Sequence, residues 1–198
     1  MFPLLVLTVG ALSETISRIL GSNMQNKFLE QNSWSRPGTK FKEDPTCLVV
    51  HWIGPYPMQT WEDVWDWWSK APSHKRYGST HAIADQGVLV NAVPDDEVSW
   101  HVGGKRYTEY AARRFADWAT PNYTCLGLEM TTEGSDGAIS DDTWGTTVNW
   151  LREQCVRLGL DPHRDVITHQ MITGKRCPLW MADHPEDLER MRQDIESG

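Results

Sequence analysis

Three residues of this chain could share a cation. His51 and His169 stand at the ends of two apolar runs, CLVVHWI over 47–53 and VITH over 166–169, and Cys177 follows the second His by eight positions. A strand can hold an imidazole rigidly at the edge of a site. Two imidazoles and a thiolate suit a borderline-soft ion such as zinc, and three protein ligands leave a fourth position open to water, as in catalytic sites. Glu129 lies inside another apolar run, TCLGLEMT over 124–131, where an unpaired carboxylate costs several kcal/mol. Facing that water, it could take a proton and pass it to a leaving amine. Lys175, two residues before Cys177, would point the same way in an extended loop and place an ammonium beside a developing oxyanion. The chemistry such a set could carry out is metal-assisted hydrolysis, with one Zn²⁺ per chain as the expectation. Each residue also has a plainer use: a hydrogen-bonded strand-end His, a rim Glu in a salt bridge, a solvated Lys. Only the combination points to the metal.

The elements that must position these groups are legible as hydrophobic patterns. The run at 47–53 is a buried strand delivering His51, and 124–131 is another holding Glu129. Between them Thr60 and Asp63 form a capping box, after which Trp61, Val64, Trp65 and Trp68 recur at helical spacing as a core stripe, with Trp67 off the stripe. Residues 80–85 and 88–93 flank Gln86-Gly87 as a hairpin. Asp141 or Asp142 caps a helix whose stripe is Trp144, Val148, Leu151, Cys155 and Leu158, ended by Gly159. Residues 170–180 read as a loop, and 185–195 as a closing helix. Strands interleaved with helices predict an α/β fold, a single domain with a central mixed β-sheet flanked by helices.

Composition narrows the class. The chain has 198 residues, 39% of them hydrophobic and 23% charged, which is enough for one core. Its formal charge of -8 offers no field for gathering phosphates, so nucleic acid is excluded as a main partner, and no apolar tract is long enough to span a bilayer. A monomer is expected. Eleven Trp serve cores, sugar platforms and interfaces alike. The opening MFPLLVLTVGALS ends like a signal peptide but lacks a basic start, since Arg18 is the first positive residue. A retained apolar segment is therefore favoured over a cleaved one. Ile16, Ile19, Leu20 and Phe28 suggest a short helix over 13–29. Residues 1–30 are thus taken as an N-terminal apolar or helical segment, dispensable for chemistry, and 31–198 as the catalytic domain. Cys47 and Cys125 each open a strand-like run and could pair, but the favoured reading for that pair is small buried thiols.

Taken in order, VVHW (49–52), STHAIADQGVLVNAVPDDEVSWHVGG (79–104), LGLEM (126–130) and ITHQMITGKRCPLW (167–180) resemble the zinc-dependent N-acetylmuramoyl-L-alanine amidases. The resemblance is to the phage endolysin and bacterial autolysin type, whose fold is shared with peptidoglycan recognition proteins. It covers roughly residues 33–190, and its most specific part is THQxxxGKxCP at 168–178. It implies zinc on His51, His169 and Cys177, Glu129 as general base and acid, and Lys175 polarising the carbonyl. It also places His81, Trp100 and His101 near the substrate groove. The implied reaction is hydrolysis of the amide between N-acetylmuramic acid and L-alanine in peptidoglycan. The implied place of action is the cell wall, outside the cell or in the periplasm. Export would use the atypical N-terminal segment or, for a phage lysin, a holin. The rival from another class is a peptidoglycan-recognition module on the same fold that binds without cutting.

Overall fold

The apolar runs pair side by side. The structure, a computed structural model, describes residues 23–54 and 60–198. Strand β2 (Cys47–Trp52) lies between two parallel neighbours, β5 (Cys125–Met130) and β6 (Val166–Thr168). Beyond β5 comes β3 (Ala82–Asp85), joined by the expected hairpin to β4 (Val88–Asn91). Its turn puts Gln86 at φ 39° and Gly87 at φ 85°, the left-handed region in which glycine carries no Cβ penalty. The last strand, β1 (Asn23–Asn26), runs parallel to β4, giving a six-stranded mixed sheet in the order β1-β4-β3-β5-β2-β6.

β1 corrects one expectation. Of the helix read over 13–29, residues 13–22 lie outside the described residues, as does the apolar opening 1–13. Asn23–Asn26 form a strand, upstream of the boundary near residue 31. Beside the β1–β4 ladder, backbone bonds run from Asn23 N to the Gly87 carbonyl at 3.0 Å, from Lys27 N to the Asn91 carbonyl at 3.0 Å and from Leu29 N to the Ala92 carbonyl at 2.9 Å. Leu29 is itself 1% exposed.

Helices cover both faces. On one, α4 (Asp141–Leu158) and α8 (Glu186–Ser197) pack on Leu48, Val50, Leu126, Leu128 and Met130, each such burial contributing about 1.5–3 kcal/mol. The α4 stripe is as read, but its cap is Ser140, whose side chain accepts from Thr143 N, with Asp141 and Asp142 in the first turn. On the other face α1 (Trp61–Ser69), with its Thr60–Asp63 capping box formed, buries Val64 and Trp68 against Ile83 and Val90. The short α2 (Ala71–His74) follows it. α3 (Glu109–Arg114) and α6 (His169–Thr173) sit near the alternate residues Cys47, Val49, Cys125 and Ile167. α5 (Pro162–Asp165) leads into β6. Of the segment read as a loop over 170–180, residues 174–178 are irregular, with Gly174 at φ 78°, while its two ends belong to α6 and α7 (Leu179–Asp183).

Cys47 and Cys125 are opposite one another in the β2–β5 register and are disulfide-bonded, with Cα atoms 4.8 Å apart. This corrects the thiol reading for that pair, while Cys155 and Cys177 are free and buried. Among the described residues no helix is long and apolar enough to cross a membrane.

Candidate active site

Because β5, β2 and β6 are parallel, their C-terminal ends meet at one edge of the sheet, the usual address for a ligand in such sheets. His51 ends its strand opposite Glu129 in register. His169 follows Thr168, whose side chain caps α6 through Met171 N, so the ring projects from a helix start rather than from the strand. Cys177 is returned to this edge after α6, its carbonyl accepting from Gln170 N at 2.9 Å. The ligand atoms of His51, His169 and Cys177 lie within 4.8 Å of one another, and all three residues are buried. His51 Nδ1 is 3.7 Å from Cys177 Sγ.

Hydrogen bonds determine which ring nitrogens face inward. His169 Nε2 is 3.2 Å from the Gly103 carbonyl, which can only accept, so Nε2 carries the proton and Nδ1 a lone pair. That Nδ1 is buried without a hydrogen-bond partner. His51 turns Nε2 to His101 Nδ1 at 3.0 Å, and His101 Nε2 meets the Cys125 carbonyl at 3.1 Å. Burial lowers both His51 and His101 well below the ordinary imidazole value, helped by the neighbouring imidazoles. Burial likewise takes His169 down to about 4, with the Lys175 charge adding to it. Neutral imidazoles with inward lone pairs are ligands in waiting. Burial pushes the Cys177 thiol up to about 12, with Glu129 adding to it, so a thiolate here needs a cation beside it.

The cleft over this cluster holds about 620 Å³, and its walls include Trp68, Tyr77, Trp100, Tyr107, Glu129 and Lys175. Burial raises Glu129 to about 8, against the pull of the Lys175 charge. Such a group can take up and release a proton near neutral pH. Lys175 is exposed and borders the cleft from the loop that follows α6.

His81 is not on the cleft wall. It is 0% exposed, with Nε2 bonded to the Glu97 carbonyl at 2.8 Å and Nδ1 accepting from Gly127 N at 2.9 Å. It braces the sheet behind His101. His101 borders the cleft, yet both of its nitrogens turn inward. Trp100 does line the cleft, its indole N–H donating to the Ser33 carbonyl at 3.1 Å and its ring 6.0 Å from that of Tyr77. Sequence reading missed Asn122, whose Oδ1 accepts from His101 N at 3.1 Å and Val102 N at 2.8 Å. It missed Tyr77 and Tyr107 as well. It also credited Trp68 with the core alone, although that residue serves both the core and the cleft.

A family profile described as N-acetylmuramoyl-L-alanine amidase matches residues 41–180, a span that contains His51, Glu129, His169, Lys175 and Cys177. The chain belongs to this amidase family. Two curated relatives from Bacillus subtilis (strain 168) are similar to it, both N-acetylmuramoyl-L-alanine amidases. BlyA is 26% identical over 170 residues, covering 80% of this chain and 43% of the relative. CwlH is 27% identical over 106 residues, covering 54% and 37%. The chain thus spans less than half the length of the curated relatives it matches. Among solved structures, PlyL superposes with a TM-score of 0.66 at 18% identity over 89% of this chain and 98% of that one, so the two share a fold.

Proposed function

We propose that this amidase-family chain hydrolyses the amide between N-acetylmuramic acid and L-alanine in peptidoglycan, as a monomer holding one zinc on His51, His169 and Cys177. The observation that carries the reading is the buried, unpartnered His169 Nδ1 beside His51 Nδ1 and Cys177 Sγ, with Glu129 and Lys175 on the same cleft. The donors fit the ion. The 3.7 Å between His51 Nδ1 and Cys177 Sγ is close to the ~3.6 Å edge that N and S ligands span around a tetrahedral zinc. When bound, zinc supplies Lewis acidity to the scissile carbonyl and to a water.

The chain's own residues do the rest. Trp100 and the Tyr77 and Tyr107 rings flank the glycopeptide and exclude bulk water from the buried floor. Glu129 takes a proton from the water as it adds to the carbonyl carbon, then gives it to the amide nitrogen as the C–N bond breaks. The products are a lactyl carboxylate and a free L-alanine amine. The Lys175 ammonium faces the negative charge that develops on the carbonyl oxygen. Action on the cell wall follows from that substrate, and the net charge of -8 makes long-range attraction to an anionic wall an unsuitable targeting device.

Purified protein, digesting peptidoglycan, should release peptides with new L-alanine amino termini and no new reducing sugar, read by mass analysis. Glu129→Gln should retain zinc and muropeptide binding while turnover falls roughly 10²- to 10⁴-fold; Lys175→Met should likewise lose rate more than affinity. Wild-type turnover in both variants refutes the assigned roles. A wild type that binds muropeptide and never cuts it is a recognition module.

A further inference from the structure

His101 was expected to touch substrate, and its surroundings give it another task. The residue is buried, 7% exposed. The Cys125 carbonyl, a pure acceptor 3.1 Å from Nε2, requires the proton to sit on that nitrogen. Nδ1 then carries the ring's one in-plane lone pair, and it is 3.0 Å from His51 Nε2. No ring nitrogen is left for a substrate.

The bond has a consequence for His51. To fill that lone pair His51 must protonate Nε2, and a neutral imidazole so protonated has its lone pair on Nδ1, the atom 3.7 Å from Cys177 Sγ. The His51 ring is thereby fixed in tautomer and direction by an acceptor, as ligating imidazoles commonly are by carboxylates or carbonyls. Here the acceptor is a second imidazole, which hands the requirement on to a strand carbonyl.

Three features hold His101 to this geometry. Asn122 clamps its main chain: Oδ1 accepts from His101 N and Val102 N, and Nδ2 donates to the Val102 carbonyl at 3.3 Å. Gly127, in β5, leaves the slot the ring occupies, since a Cβ there would lie 2.6 Å from His101 Nδ1. His81 packs its ring edgewise on that of His101, centroids 5.9 Å apart, while its own Nδ1 accepts from Gly127 N.

We infer that His101 is a positioning residue rather than a substrate contact: it accepts the His51 Nε2 proton and so aims His51 Nδ1 into the metal cluster. The inference rests on the zinc reading above for its purpose, but its geometry concerns this chain alone.

The direct test is long-range proton–nitrogen NMR on metal-free wild-type protein with labelled imidazoles. Protons on Nε2 and bare Nδ1 are expected for both His51 and His101; a proton on His51 Nδ1 overturns the proposal. Variants supply the second arm. His101→Phe removes the acceptor and should weaken zinc binding roughly 10- to 100-fold and give His51 mixed tautomers. His101→Asn places an amide oxygen near the Nδ1 position and should stay within a few-fold of wild type. Wild-type zinc affinity with an unchanged His51 tautomer in the Phe variant contradicts the role, and so does an Asn variant, folded, that loses as much as Phe. If wild-type protein takes up no zinc, the metal reading has failed, and the tautomer spectrum decides the proposal by itself.

Discussion

Gly127→Ala is a small change whose sign discriminates. Gly127 sits within β5 at a backbone conformation open to any residue, and elsewhere a Gly→Ala exchange at such a position stabilises by about 0.4–1 kcal/mol through the unfolded chain. Here the new Cβ would lie 2.6 Å from His101 Nδ1, 2.7 Å from Cγ and 3.0 Å from Cε1. Carbon contacts settle near ~3.5 Å, so ring or strand must give way by roughly 0.9 Å. Neither is free to do so. The strand is tied through Gly127 N to His81 Nδ1 at 2.9 Å and through Gly127 O to His81 N at 2.9 Å. The ring is tied to the Cys125 carbonyl and to His51, and a 0.9 Å retreat from either stretches a ~3 Å bond beyond hydrogen-bonding range.

Overpacking of this kind costs about 1–3 kcal/mol, which outweighs the entropic gain, and the lost bond to His51 should lower zinc affinity roughly 10- to 100-fold. Urea unfolding of the metal-free protein gives the first quantity, and competition with a chromophoric chelator the second. The same exchange on a His101→Ala background has no ring to meet, so there it should be neutral or stabilising. A destabilisation of equal size on both backgrounds would show that the ring is not what Gly127 accommodates.

Two further outcomes follow from packing away from the cleft. Asp165, 2% exposed at the end of α5, would be raised by its burial, but bonds from Arg164, Asp161 N and Arg114 at 2.8–2.9 Å prevail and hold it at about 2. A carboxylate held below its unfolded value of 3.8 stabilises the fold above that pH, and the contribution is lost as pH falls toward and through 2. Its size is about 2 kcal/mol. Asp165→Asn should therefore be less stable than wild type by about that much at pH 7, with the gap closing near pH 2, and a pH-independent gap in denaturant midpoints would refute the linkage. Removing residues 1–22 leaves β1 in place, whereas removing 1–30 deletes it together with buried Leu29, a loss of about 2–5 kcal/mol. The shorter chain should still turn over muropeptide at low temperature, because the site lies on β2, β5 and β6, but melt earlier. Equal melting of the two truncations would mean that β1 contributes nothing to the sheet's stability.

The residues proposed for chemistry were legible because each carries a local sign. His51 and His169 end apolar runs, and Glu129 is a carboxylate inside one, so the pattern marks them before any tertiary contact is known. His81 and His101 carry no such sign. His81 lies between Thr80 and Ala82 and His101 between Trp100 and Val102, neither at the end of an apolar run, and which faces the cleft depends on β5 lying between β3 and β2, an order set across the whole chain. β1 was illegible for a related reason: NMQN has no apolar alternation, and its strand character comes from pairing with an edge more than sixty residues away. α6 is five residues long, too short for a 3.6 period to declare itself.

One local sign was present and passed over, the glycine inside LGLEM, for a Gly within an apolar strand often marks a place where another group approaches closely. Its meaning depends on register. With β2 and β5 parallel, Cys47 faces Cys125, Val49 faces Gly127 and His51 faces Glu129, and alternate residues of each strand share a face. The disulfide, the slot for His101 and the pairing of His51 with Glu129 are therefore one structural fact seen at three levels of the same two strands. A shift of β5 by a single residue would turn Glu129 onto the face covered by α4, bring Leu126 and Leu128 to the cleft side, and close the slot that lets His101 reach His51. The apolar residues beneath α4 thus hold the geometry of the proposed site as much as they hold the core.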